Sequence, residues 1–218
     1  MKNNTLFYFS YIIIFLLSFE IDAKSQELQV YANEISSLND GNKIMAEGGV
    51  KIKDEKGITI NSDKAEYDKN QLIIKVENNV EIIDTINNSR LFTDEAIYFS
   101  NENKIITKNA TVIQIGEKYT TNTSNITYDR NLKEIFSKNK TLVQDMNNNV
   151  LSSNNFKLYT EKKMLEAKNI NLIDNELNNY FIELGKLNLE TDEVLGKDLS
   201  IKFNNKYFDK NNEPRLKA

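Results

Sequence analysis

The chain has 218 residues, 28 Lys+Arg against 32 Asp+Glu, a formal net charge of −4, one Pro, seven Gly and neither Cys nor His. Without His and Cys it holds no Ser-His-Asp triad, no Cys-His pair, no disulfide and no ordinary zinc or haem ligation, and its acidic balance gives no pull toward nucleic acid. At 39% hydrophobic it has material for a core, but not for a multi-span membrane protein.

Residues 1–23 read as a secretory signal peptide. Lys2 supplies the positive start, Leu6 to Phe19 is almost unbroken apolar sequence, and Glu20 ends it. The run is shorter than the ~20 residues of a bilayer-spanning helix and suits the core of a signal. Ile21-Asp22-Ala23 is a weak small-x-small site. Cleavage after Ala23 is the expectation, and an uncleaved inner-membrane anchor is the alternative.

Residues 24–203 repeat with a period of about 30. One half of each unit places a small polar residue shortly before an aromatic or apolar one: Asp63 to Tyr67, Asp94 to Tyr98, Ser124 to Tyr128 and Asn154 to Leu158, with degraded copies at Asn33 to Ser37 and Glu183 to Leu187. The other half centres on Gly49, Asn79, Asn109, Asn139, Asn169 and Asp198. Three positions after each stand Ile52, Ile82, Val112, Leu142, Leu172 and Ile201.

Period two dominates each half. Leu72, Ile74, Val76, Val80 and Ile82 alternate with Lys75, Glu77 and Glu81, and Ile44, Ala46, Val50 and Ile52 repeat the pattern, as a strand with one dry face does. Polar Asn/Asp turns separate the halves. Each unit is then a β-hairpin, and six units predict an all-β fold of about twelve antiparallel strands. The Gly/Asn column falls inside strands, where it marks bulges that coil the sheet. The result is an open-ended antiparallel jelly roll or twisted half-barrel, with residues 204–218 as a polar connector or tail.

The inner face is predicted to hold Ile44, Val50, Ile52, Tyr67, Ile74, Val80, Ile82, Tyr98, Val112, Ile126, Tyr128, Leu142, Phe156, Leu158 and Leu172. The tyrosines among them read as core or as the lining of a groove, since Tyr offers an apolar face and a polar tip. The Asp63/Asp94 column accepts Asn and Ser in other copies, so it asks for strand-start hydrogen bonding rather than for paired catalytic carboxylates. No calcium-loop spacing occurs, and no metal site or cofactor is implied. Lys104, Lys108, Lys138 and Lys140 read as solvated faces.

The repeat, best seen in Asp63 to Asp84 (DKAEYDKNQLIIKVENNVEIID) and Asn33 to Lys53, resembles the OstA-like (organic-solvent-tolerance) domain. That family builds the periplasmic bridge proteins of lipopolysaccharide (LPS) transport and the amino-terminal region of the outer-membrane LPS-assembly protein LptD. Leu195 to Lys217 is similar to the connector leading from that domain toward a barrel, although no barrel strands follow here. The resemblance implies a non-enzymatic periplasmic protein associated with the outer membrane, whose apolar groove shields lipid A acyl chains. The partners it implies are LPS, bridge subunits joined by edge-strand pairing, and an outer-membrane barrel with its lipoprotein plug. An unrelated surface β-solenoid, adhesin-like or carbohydrate-binding, is the competing class.

The terminal repeats are the most degraded, as the ends of an open stack should be. The strand Gln29, Val30, Tyr31, Ala32, Asn33, Glu34 and Ile35 is therefore predicted to be the free edge that receives a partner. Proline at Tyr31 or Asn33 is expected to weaken that docking.

Overall fold

The computed structural model describes residues 28–204, residue 206 and the backbone of 215–217. The signal peptide, its cleavage site and most of the tail lie outside the described residues. No described residue is helical. In chain order come β1 (Leu28–Tyr31), β2 (Glu34–Leu38), β3 (Lys43–Asp54), β4 (Ile58–Asp68), β5 (Ile73–Asp84), β6 (Ser89–Phe99) and β7 (Lys104–Ile115). Three interrupted strands follow: β8 (Tyr119–Ser124) with β9 (Thr127–Asp129), β10 (Glu134–Ser137) with β11 (Thr141–Asp145), and β12 (Val150–Ser153) with β13 (Phe156–Tyr159). Then come β14 (Met164–Ile173), β15 (Asn179–Asn188), β16 (Val194–Lys202) and the short β17 (Arg215–Lys217).

Every ladder is antiparallel and joins chain neighbours. β1 and β2 both pair with β3, β8 and β9 with β7, β11 with β8, β10 with β9, and β12 and β13 with β14. Counting each interrupted pair, and β1 with β2, as one strand leaves twelve strands and β17, in one meander. No ladder joins β1 or β2 to β16 or β17 among the described residues, so the sheet is open at both ends. A solenoid, whose successive coils stack in parallel, is a different architecture.

The Gly/Asn column makes the predicted irregularities. Register slips between Glu47 and Val50, and between Glu77 and Val80. Backbone φ is positive at Gly49, Asn79, Asn109, Asn169 and Asp198, where Gly and Asn cost least. Asn139 differs. It lies between β10 and β11, and its side-chain amide donates to the Ser124 carbonyl at 3.1 Å. The small-polar column serves the same kinks: Asp63 Oδ2 accepts from Asn79 Nδ2 at 2.7 Å, and Asn125 Oδ1 accepts from the Asn109 amide at 3.0 Å. Leu72, expected within a strand, sits in a turn with φ of 57°.

Straight strands of eleven or twelve residues would run ~35–40 Å. Tyr98, near the far end of β6, nonetheless donates to Asp54 at the near end of the sheet. The sheet therefore wraps on itself until its two rims of turns meet along a seam, with the dry face inside. The first rim carries the turns after β3, β5, β7, β11 and β14. The second carries those after β2, β4, β6, β9, β13 and β15. Turns of the second rim stack, with the amides of Lys69, Ser100, Arg130, Thr160 and Leu189 donating to the carbonyls of Asn42, Leu72, Asn103, Lys133 and Lys163.

Gly185 and Gly196 face each other across β15 and β16, and Ile182 lies over them. A Cβ on Gly196 would stand 2.4 Å from Ile182 Cγ2. Gly196→Ala should cost about 1–3 kcal/mol by overpacking. The cost should fall in an Ile182→Leu background, which lacks that methyl. Urea melts of the single and double variants measure both, and equal costs in the two backgrounds would refute the contact.

Candidate functional site

The interior forms from alternate residues of every strand. Of the predicted inner-face residues, Val50, Ile52, Ile74, Val80, Ile82, Tyr98, Ile126, Tyr128, Phe156 and Leu158 are all buried in one continuous core. Tyr67 and Leu172 pack against it and Ile44 is half-buried. Two expectations are corrected. Leu142 is exposed and Val112 is only partly buried, while their neighbours Thr111, Ile113, Thr141 and Val143 are the buried ones. The cause is local. The turn Thr85–Asn88 has one residue more than the turn Glu55–Gly57, so the inner positions of β7 fall one place later than a constant period places them. The shorter spacing after β11 brings Leu172 back in phase.

The seam is polar and was not foreseen. Asp54, Asp84, Asp145 and Asp174 recur at the ends of first-rim strands, and their spacing is the sequence signal that marks them. Each uses one carboxylate oxygen to hold its own turn. Asp54 accepts from the amides of Lys56 (3.0 Å) and Ile58 (2.7 Å), Asp84 from Ile86 (3.0 Å), Asp145 from Asn147 (2.8 Å) and Asp174 from Glu176 (3.0 Å). In Asp145 and Asp174 the other oxygen is held on the same rim, by Asn149 and by Asn178 and Tyr180, whereas in Asp54 and Asp84 it reaches across the seam. Tyr98 donates to Asp54 and Tyr128 to Asp84, both at 2.5 Å. Tyr98 and Tyr128 of the tyrosine column are thus buried in the ring and clasped at the hydroxyl.

The second clasp is the strongest. Asp84 Oδ2 also accepts from Asn87 Nδ2 and Arg130 Nε at 2.9 Å, and Arg130 Nη2 reaches the Lys56 carbonyl at 2.5 Å. Both ions are buried. Burial by itself pushes the Asp84 carboxyl up, but hydrogen bonds from Tyr128, Asn87 and Arg130 outweigh it and hold the carboxyl below its ordinary value. Burial and the Asp84 bond together raise the Tyr128 phenol. Further along, Tyr119 and Lys118 of the first rim bind Asp192 of the second, the lysine at 2.5 Å.

The interior is not uniform. Side chains fill it beneath the first two clasps. Beyond them lie a cavity of about 170 Å³, bordered by Ile115, Tyr119 and Leu158, and one of about 190 Å³, bordered by Tyr119, Val143, Leu151, Leu172 and Leu187. No group of three or more His, Cys, Asp or Glu among the described residues could hold a metal.

The predicted edge strand is placed as follows. Val30 and Ala32 pack against the core, while Tyr31, Ile35 and all of β2 stand exposed. The Asn33 amide is already spent on the Gly48 carbonyl at 3.1 Å. Asn33→Pro would therefore disturb the fold itself. So would Tyr31→Pro, because amides two residues apart on a strand face the same neighbour and Tyr31 stands opposite Lys51 of β3. The Glu34 amide points away from β3 and is the proline test.

Neither a family model nor a curated protein matches this chain. Among solved structures it is similar to LptH, the LptA-homologous periplasmic component of the lipopolysaccharide transport device from Pseudomonas aeruginosa. The similarity covers 66% of this chain and 82% of that one, at 10% identity and a TM-score of 0.28. At that level of superposition it carries no argument, and the fold rests on the ladders themselves.

Proposed function

We propose that this protein is a periplasmic bridge for lipopolysaccharide that carries acyl chains along the inside of its sheet toward the outer membrane. One observation carries the reading: a single twelve-strand meander with one continuous apolar inner face and no ladder closing its ends. A lipid conduit needs an apolar path without a terminal wall, and unpaired end strands let one module continue into the next. The OstA-like repeat agrees with this.

Photo-crosslinking tests the conduit. Crosslinkers at Leu172 or Val194, which border the larger cavity, should capture lipopolysaccharide. Crosslinkers at Lys75 or Glu81, on the outer face, should not. Equal capture from both faces would refute a groove. Amino-terminal sequencing of the exported protein decides between a cleaved signal, with Lys24 first, and a retained anchor.

A further inference from the structure

We propose that the third rung of the seam is a side portal, through which the acyl chain of an amphiphile enters the interior without passing an open end. The inference rests on the lipid-carrier reading and adds where the chain gets in.

The first two rungs follow one rule, and the third breaks it. The first two pair an aspartate at the end of a first-rim strand with a tyrosine of the second rim, Asp54 with Tyr98 and Asp84 with Tyr128. At the equivalent third position the strand-end residue is Ile115 and the tyrosine column holds Leu158. The clasp is thus replaced by two hydrocarbons, and at that place the seam opens into the cavity of about 170 Å³. Ile115, Tyr119, Leu158 and Leu189 give it an apolar wall, and Asn87, Ser89 and Thr160 a polar one.

Both rims build the opening. Asn88 and Lys118 come from the first, Thr160, Lys163 and Glu190 from the second. Its outer rim is held by pairs that yield easily. Across the seam Lys118 meets Asp192 at 2.5 Å with both side chains at least a third exposed, and an exposed pair is worth about 0–1 kcal/mol. Thr160 meets Asn87 at 3.3 Å. Parting these groups returns them to water, whereas parting the Asp84 clasp strands buried charge. A hydrocarbon passing between Ile115 and Leu158 desolvates no ion. Tyr119 borders this cavity and the larger one beyond, so a chain that enters here lies beside the rest of the apolar path.

The test uses the full chain and cis-parinaric acid, a fatty acid that fluoresces in apolar surroundings, with association followed by stopped flow. Ile115→Asp/Leu158→Tyr rebuilds the missing clasp and should slow association about tenfold. A second variant avoids any effect on folding. Because the chain has no cysteine, Lys163→Cys can be labelled after folding with a bulky maleimide. That label should slow association similarly, while the same label at Lys75→Cys on the outer face should not. If both the rebuilt rung and the labelled Lys163→Cys protein associate at the wild-type rate, entry is through an end and the portal is overturned, with the carrier reading intact. If the unmodified protein binds no fatty acid at all, the carrier reading fails and takes the portal with it. Should the rebuilt rung not fold, the labelled pair alone decides.

Discussion

Arg130→Met should destabilise the protein by about 3–5 kcal/mol, the usual cost of leaving one member of a buried ion pair alone. Asp84 has no solvent exposure and the Arg130 side chain only 7%. Without the guanidinium, the carboxylate keeps Tyr128, Asn87 and its turn amides but loses its counter-charge. Against the roughly 5–15 kcal/mol that holds a domain folded, the loss is large. The double variant Asp84→Asn/Arg130→Met removes both charges and should recover much of it, because an uncharged amide in that pocket carries no ionic desolvation cost. Acid gives a second readout. The folded-state carboxyl lies below its unfolded value, so its contribution is present above the ordinary carboxylate range and is lost as pH falls through the folded value. Arg130→Met raises that folded value, so less stability remains to be lost and the acid dependence should flatten. Thermal melts followed by circular dichroism between pH 7 and about pH 3 check both. A melting temperature within a few degrees of wild type at pH 7 would mean that the clasp does not hold the seam.

The strands were legible because their information is local. Ile74, Val76, Val80 and Ile82 alternate with charged residues, and the Gly49/Asn79 column marks where each strand turns over. What escaped was information that spans repeats. A constant period put Val112 and Leu142 inside, although the longer turn at Thr85–Asn88 had already displaced the register by one residue, and a one-residue slip exchanges the faces of a strand. The seam was harder. Asp84 and Tyr128 belong to different repeats and opposite rims, and only the pitch of the coiled sheet brings them together. The Asp54, Asp84, Asp145 and Asp174 column could have been read as turn-holding residues. Its partners could not, since nothing in the local pattern states which turns of the two rims meet.

Glu34→Pro should weaken binding of a periplasmic bridge subunit by up to about tenfold, while leaving the distant repeats folded, because the Glu34 amide alternates with that of Asn33 and faces away from β3. Residues of β1 and β2 are paired on one side only, with β3, and Tyr31, Ile35 and Leu38 are each at least half exposed. A free edge of this kind offers its remaining main-chain groups to another strand and risks aggregation unless something covers it. Proline removes one donor and resists the pairing geometry. One lost main-chain bond at an interface is worth about 0.5–1.5 kcal/mol, and about 1.4 kcal/mol is tenfold in affinity. A companion variant leaves the backbone untouched: Ile35→Lys puts a charge on the edge, the device by which sheets discourage pairing, and should weaken docking without lowering the melting temperature. The opposite edge is the control. Among the described residues only Ser200–Lys202 of β16 are covered by β17, and Leu195, exposed on the same strand, is the position where Leu195→Lys should disturb a partner on that side alone. Binding measured by surface interferometry for the three variants separates the ends. If Glu34→Pro and Ile35→Lys both bind the bridge subunit as wild type does, the amino-terminal edge is not where the modules join.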